Sequence, residues 1–414
     1  MRIVFVNSNR CQEGGVETYL DTVMPALQRA GHEVSLCHEW DLVSERPPIG
    51  LPQGSPAWCV ARLGLNGTLA AVREWRPDVI YSHNIASVEL ERELLKIAPA
   101  VFFAHAYNGT CISGNKAFKQ PIARPCDRRF GWQCLVYFYP RRCGGLNPVT
   151  MLKLYRTQAN RLELLKRYRA LITHSEHMQA EYIRNGIPAE RVSCIPYCVE
   201  PLRSNCAQDP AKPRKGMPES NAPWRLAFAG RMDDLKGGLL LLESLPLVRS
   251  AASRPVHLVF AGDGPQRRNW ESAAARLNRS ERDITIEFMG WQRAGELRDL
   301  FRASHLLVVP SVWPEPFGMV GVQAGLEGLP AAAFAVGGIT KWLTDGVSGH
   351  LASGDPPAAE GLARAILKCF RDDEHYLNLC RGAAETAGRF TLQAHVYELI
   401  HVLEAAACQR PDCL

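Results

Sequence analysis

Arg231 and Lys236 stand five residues apart in GRMDDLKGG (residues 230–238), beside two glycines that open an apolar run with helical spacing. A diphosphate needs this kind of site: cations on short reach, and backbone N–H groups that an anion can approach because glycine has no side chain. Each charge-assisted bond there would contribute ~1.5–3 kcal/mol. An isolated Arg and Lys are equally the furniture of a solvated surface, and it is their place at the end of an apolar strand that favours the anion. A second stretch, SVWPEPFGMVGVQAGLEGLP (311–330), holds Glu315 between two prolines, opens a turn at Gly318 and places Gln323 eight residues past the carboxylate. His105 ends another apolar run, where packing explains it as readily as chemistry. GDGP (262–265) is a further glycine turn after a strand, and any tight turn could carry it.

The elements that must position these residues form two series. MRIVFVN, EVSLC, DVIYSHN, AVFFAHA and ALITHSE are short apolar runs of the kind that parallel sheets bury on both faces. VETYLDTVMPALQRAGH lies between the first two with its apolar residues at helical spacing, stopping at Gly31. The pattern restarts at RLAFAGR and continues through HLVFAGDGP, ITIEFMG, HLLVVPS and AAAFAVGG. Between the series, residues 206–223 are rich in Pro, Ser and charge, which is linker composition. The fold class expected is α/β: two Rossmann-like open parallel-sheet domains, 1–205 and 224–390, facing across a cleft, with a C-terminal helix in 391–414 packing back toward the first. A chain of 414 residues with 46% hydrophobic content accommodates two such cores.

Several classes are excluded or disfavoured. No GxGxxG follows the first strand and no GxxxxGK[ST] occurs, against a dehydrogenase or a P-loop ATPase. No Asp-x-Asp pair is present to hold a metal-bound nucleotide. No run reaches the roughly 18 apolar residues of a membrane span, and MRIVFVNSNR lacks the order of a signal peptide, so a soluble cytoplasmic protein is expected.

Eight motifs in order, GGVE (14–17), HAYN (105–108), ITHSEHM (172–178), GIPAERVSCIPYCVE, GRMDDLKGG, VFAGDGP, PSVWPEPFGMVGVQAGLEGLP and FAVGGITKWLTDGVSGHL, resemble the retaining nucleotide-sugar glycosyltransferases of family 4, which have the GT-B fold. The resemblance covers nearly all of the chain. It implies that Arg231 and Lys236 bind the donor diphosphate, that Gly15 brings backbone to the phosphates or sugar from the opposite domain, and that His105 lies near the reacting sugar. Glu315 matches the first Glu of the family's Glu-x7-Glu motif, with the backbone of Phe317, Gly318, Met319 and Val320 beside the donor. The second Glu, which binds the ribose hydroxyls, is replaced here by Gln323. A neutral amide keeps one acceptor and loses the charge, at ~1–2 kcal/mol of donor affinity. The resemblance further implies no cofactor and metal-independent transfer to a glycan or lipid-linked acceptor in polysaccharide or surface-glycan assembly. A nucleotide-sugar 2-epimerase and a non-catalytic sugar- or partner-binding homologue are the alternatives. The base would be read by loop backbone near Met289 to Gln292.

Residues 108–148 form an insert after HAYN. Across 116–169 thirteen Lys/Arg face two acids, Asp127 and Glu163, although the whole chain carries only +6. Arg128, Arg129, Arg141 and Arg142 interleave with Phe130, Trp132, Tyr137, Phe138 and Tyr139, a combination suited to an anionic membrane surface; no nucleic-acid motif accompanies it. Cys111, Cys126, Cys134 and Cys143 lack a CxxC pair, so buried thiols or a disulfide are expected ahead of zinc.

Overall fold

The computed structural model describes residues 1–11, 14–41, 47–199, 216–219 and 221–408. Strands β1 (Arg2–Asn9), β2 (Glu33–Trp40), β3 (Ala57–Cys59), β4 (Val79–Ser82) and β5 (Ala100–Phe103) come first. A small antiparallel hairpin, β6 (Ala117–Phe118) with β7 (Arg124–Pro125), lies in the insert, and β8 (Ala170–Thr173) and β9 (Val192–Cys194) follow. The second half holds β10 (Trp224–Ala229), β11 (Val256–Ala261), β12 (Ile284–Gly290), β13 (Leu306–Val309), β14 (Ala331–Phe334) and β15 (Gly349–Ala352). Two all-parallel sheets result, in the orders β3-β2-β1-β4-β5-β8-β9 and β12-β11-β10-β13-β14-β15.

The central strands explain the sheets. Ile3 to Val6 on β1 and Leu306 to Val308 on β13 are completely buried, each Val, Ile, Leu or Phe contributing about 1.5–3 kcal/mol, and a strand covered on both faces reads as unbroken apolar sequence. In each sheet the strand order reverses between the first and fourth strands of the domain, β1/β4 and β10/β13. That reversal opens a crevice at the carboxyl ends, where such sheets hold ligands.

Of the linker expected over 206–223, residues 206–215 and 220 lie outside the described residues, and β10 begins at Trp224. Val199 N donates to Phe390 O at 3.0 Å where the chain returns toward the first domain. The helix Leu392–Cys408 packs on the helix Gly15–Arg29 and on β4 and β5; residues 409–414 lie outside the described set. His395 anchors that contact. Its Nδ1–H donates to Pro196 O at 2.7 Å, which leaves Nε2 to accept from Tyr19 OH at 2.8 Å.

The insert folds differently from the surface expected of it. Phe130 and Phe138 are buried with Ile112 in a small core of their own, and Tyr137 carries the Arg128 guanidinium 3.9 Å above its ring. Of the five aromatics, Trp132 alone is exposed; Phe130, Phe138 and Tyr139 pack with Ile112, Leu135, Met151 and Leu154. The hairpin also reaches the second domain: Arg124 pairs with Asp355 at 3.0 Å and Lys119 approaches Asp234 at 3.8 Å.

Candidate active site

Two helices begin on opposite walls of the cleft. On the first domain, Gly14 N–H donates to the Glu17 carboxylate at 3.0 Å and Gly15 starts the helix Gly15–Arg29. On the second, Gly318 (φ 88°) starts the helix Met319–Leu326. A Cβ on Gly15 would come 2.8 Å from Met319 Cε, so the Met319 side chain reaches across from one helix start to the other. Each presents unpaired N–H groups and the positive end of a helix dipole, which suits an anion held between them.

Lys236 supplies the fixed cation. It ends a short 3₁₀ turn, Asp234–Lys236, started by the Asp233 carboxylate accepting from Leu235 N–H at 3.0 Å. The following Gly237 has φ 67°, and a Cβ there would lie 1.9 Å from Pro310 O, so only glycine lets this loop sit against β13. Lys236 Nζ donates to Glu315 Oε1 at 2.5 Å and lies 5.5 Å from the Trp313 ring. Ser311 Oγ donates to the same Oε1, also at 2.5 Å, and Glu315 is buried. An ammonium has three N–H donors, so Lys236 keeps two for a ligand while holding Glu315.

The other predicted residues divide. Phe317 is buried, its ring 5.9 Å from Tyr197 and 5.3 Å from Phe390, and its carbonyl accepts from Trp342 Nε1–H at 2.7 Å. The N–H groups around Gly318, Met319 and Val320 are therefore the donors left at this helix start. Arg231 follows Gly230 at the end of β10 and is exposed; it is not drawn into the Lys236–Glu315 pair. Gln323 is half-buried on the helix, and among the described residues Glu315 is bonded by Lys236 and Ser311 instead. Glu327, one turn further, is a buried structural carboxylate held by Arg298 at 2.9 Å and Arg302 at 2.7 Å. Met289 and Trp291, in the segment expected to read the base, are both exposed.

His105 belongs to a row. His83, His105 and His174 follow β4, β5 and β8, adjacent strands, so they line up along the carboxyl edge of the first sheet. His83 Nδ1 and His105 Nε2 share a hydrogen bond of 2.9 Å, His105 Nδ1 bonds the Tyr197 hydroxyl, and His174 stacks on the Tyr197 ring at 3.6 Å. Burial pushes His105 down to about 3, and drives His83 and His174 well below 6.5. The row is neutral near pH 7 and offers nitrogen acceptors or donors without charge. His83, Tyr197 and Ser311 went unrecognised in the sequence. VIYSH repeats the strand-then-histidine pattern of VFFAH and could have signalled His83.

Two parallel-sheet domains with facing helix starts and a Lys–Glu pair between them are the GT-B architecture. Residues 13–203 match the family described as Glycosyltransferase Family 4, and residues 223–372 match Glycosyl transferases group 1. The chain belongs to these group 1, family 4 glycosyltransferases. It is 29% identical over 237 residues to the lipopolysaccharide 1,2-N-acetylglucosaminetransferase of Salmonella typhimurium, covering 56% of this chain and 60% of that protein. It is 32% identical over 216 residues to the D-inositol 3-phosphate glycosyltransferase of Salinispora arenicola, covering 50% of this chain and 46% of that one. The matches thus span about half the length of these relatives. In overall fold it resembles HepE of Anabaena, solved in complex with UDP and glucose, with a TM-score of 0.66 at 20% identity over 98% of this chain and all of that one.

Proposed function

We propose that this chain transfers a hexosyl group from a nucleoside-diphosphate sugar to a glycan or lipid-linked acceptor, with retention at the anomeric carbon. The observation that carries the proposal is the Lys236–Glu315 pair in a cleft where two helix starts, at Gly15 and Met319, face each other across the Met319 side chain. The diphosphate lies between the helix starts, with Lys236 and Arg231 on its oxygens. Glu315 orients the sugar hydroxyls, and the neutral His105 row borders the anomeric carbon.

In the step itself the bond from the anomeric carbon to the phosphate oxygen breaks and its electron pair stays on the diphosphate. The acceptor hydroxyl attacks on the same face and passes its proton to the departing phosphate oxygen. Glu315 is engaged by Lys236 and Ser311 and is not used as a covalent nucleophile. Stabilising the leaving charge is then the main source of rate, and the positive groups already present make a divalent ion unnecessary. Uridine diphosphate is the nucleotide to try first, supported by the similar fold solved with it.

The reading includes contact with an anionic membrane surface. Exposed Trp132, Val136, Leu146, Val149 and Leu152 lie among Arg129, Arg142, Lys153 and Arg156 in sequence, apolar and cationic groups of the kind that settle at an interface. No helix among the described residues is long and apolar enough to cross a membrane. The test is a transfer assay with UDP-sugars, with and without chelator, and proton NMR of the product anomer. An α-linked product from an α-linked donor, formed in chelator, is expected. An inverted product, or a donor that isomerises without acceptor, sinks the proposal.

A further inference from the structure

The cleft chemistry leaves four cysteines of the insert unused, and the fold gathers them. Cys111 Sγ accepts from Lys116 N–H at 3.3 Å, and Cys126 N–H donates to Lys116 O at 2.8 Å, so the β6–β7 hairpin sets Cys126 beside the residue that caps Cys111. Cys134, on the helix Gln133–Tyr137, and Cys143, whose N–H donates to Phe138 O at 3.0 Å, both pack on the Ile112, Phe130 and Phe138 core. Ile112 adjoins Cys111, which closes the circle. The Cys134 N–H in turn donates to Gly131 O at 2.9 Å.

We propose that Cys111, Cys126, Cys134 and Cys143 bind one zinc ion in a closed four-sulfur site that fixes the insert against the cleft. The Cys111 sulfur is met by the Lys116 backbone N–H, the kind of outer contact that stabilises a metal-bound thiolate. All four are free thiols. Arg128 and the buried Lys116, the latter paired with Glu181 at 2.8 Å, border the site and offset the negative charge of a four-thiolate centre.

Zn–S bonds of about 2.3 Å set tetrahedral sulfurs roughly 3.8 Å apart, so the side chains rotate inward on binding. Among the described residues, the one trio of ligand atoms already within 4.8 Å is His38, Asp41 and Cys59. That trio is satisfied without an ion: Arg62 takes Asp41 Oδ2 at 2.7 Å, His38 Nε2 meets Asp41 Oδ1 at 2.8 Å, and Cys59 donates to Glu39 O. The zinc would matter to the cleft because the anchored hairpin carries Lys119 and Arg124 to the second domain. Between them and the helix Gly238–Ala252 lies a cavity of about 710 Å³ that includes Asp234 and Gly237, next to Lys236.

The experiment is metal analysis of the untagged full chain after gel filtration in metal-free buffer, with mercurial titration to release bound zinc. About one zinc per chain is expected, lost in Cys126→Ser and Cys143→Ser and retained in His38→Ala. Should the serine variants fail to fold, exchange of the wild type with Co²⁺ gives an independent reading: sulfur-to-metal charge-transfer and tetrahedral bands are expected. Less than about a tenth of an equivalent of zinc in the wild type, or a non-reduced mass short of four hydrogens from two disulfides, overturns the proposal. Retention of zinc in both serine variants with its loss in His38→Ala overturns it equally.

Discussion

The two sheets have the same strand order for their first five strands and end in opposite chemistry. At the carboxyl edge of the second, Gly230, Gly262 and Gly264 all have positive φ and pack loop on loop, a Cβ at Gly262 falling 2.0 Å from Gly230 O. That close approach leaves room for Lys236, Arg231 and Glu315, so this edge is charged and its backbone is open to an anion. At the same edge of the first sheet stand His83, His105 and His174 with Tyr19, Tyr81 and Tyr197, enclosed and uncharged. In the proposed function the charged wall takes the leaving diphosphate, and the other wall offers rings and neutral nitrogens to the sugar.

The comparison breaks hardest at Lys236. Lys236→Ala removes the charged wall's cation and leaves Glu315 buried with only Ser311; kcat/KM is expected to fall about 100-fold or more, with the far-UV spectrum unchanged. A loss under about threefold would show that the diphosphate is held elsewhere.

The neutral wall is tested by pH. His105 is held down to about 3 and His395 to about 4, while His83 and His174 lie well below 6.5, all chiefly through burial. Each stays neutral in the fold but takes up a proton in the unfolded chain below 6.5, so the unfolded state binds more protons and stability falls as pH drops from 6.5 toward 4. The Tm should be flat just above neutrality and decline through that window, and His395→Phe should flatten the decline. A Tm that rises on acidification contradicts a neutral row.

The smallest expected effect sharpens the charged wall. Gln323→Glu restores a carboxylate where the family's ribose ligand stands, and should tighten nucleotide binding by about 1 kcal/mol, roughly fivefold in Kd. Unchanged or weaker binding, read by calorimetry, would place the ribose away from this helix.

Much of this architecture is legible in the sequence, and the exceptions have physical causes. The central strands β1, β5, β10 and β11 read as apolar runs because both their faces are covered. β3, β9 and β15 did not: they are short sheet-edge strands, AWC, VSC and GHLA, without such a run. Arg231, Lys236, Glu315 and Gly318 were visible as strand-end or turn residues. The Lys236–Glu315 pair was not, since 79 residues separate its members and only the β10/β13 neighbourhood joins them. In the insert, sequence showed the aromatics but not their direction; Phe130 and Phe138 point inward onto Ile112, Leu135, Met151 and Leu154, contacts that join residues far apart in the chain.

The most direct measurement is calorimetric titration of the purified chain with UDP in chelator, wild type against Lys236→Ala. Metal-independent binding that weakens at least about tenfold in the variant is the result expected if the facing helix starts and Lys236 hold the diphosphate. Binding that needs a divalent ion, or that is indifferent to Lys236, would contradict it.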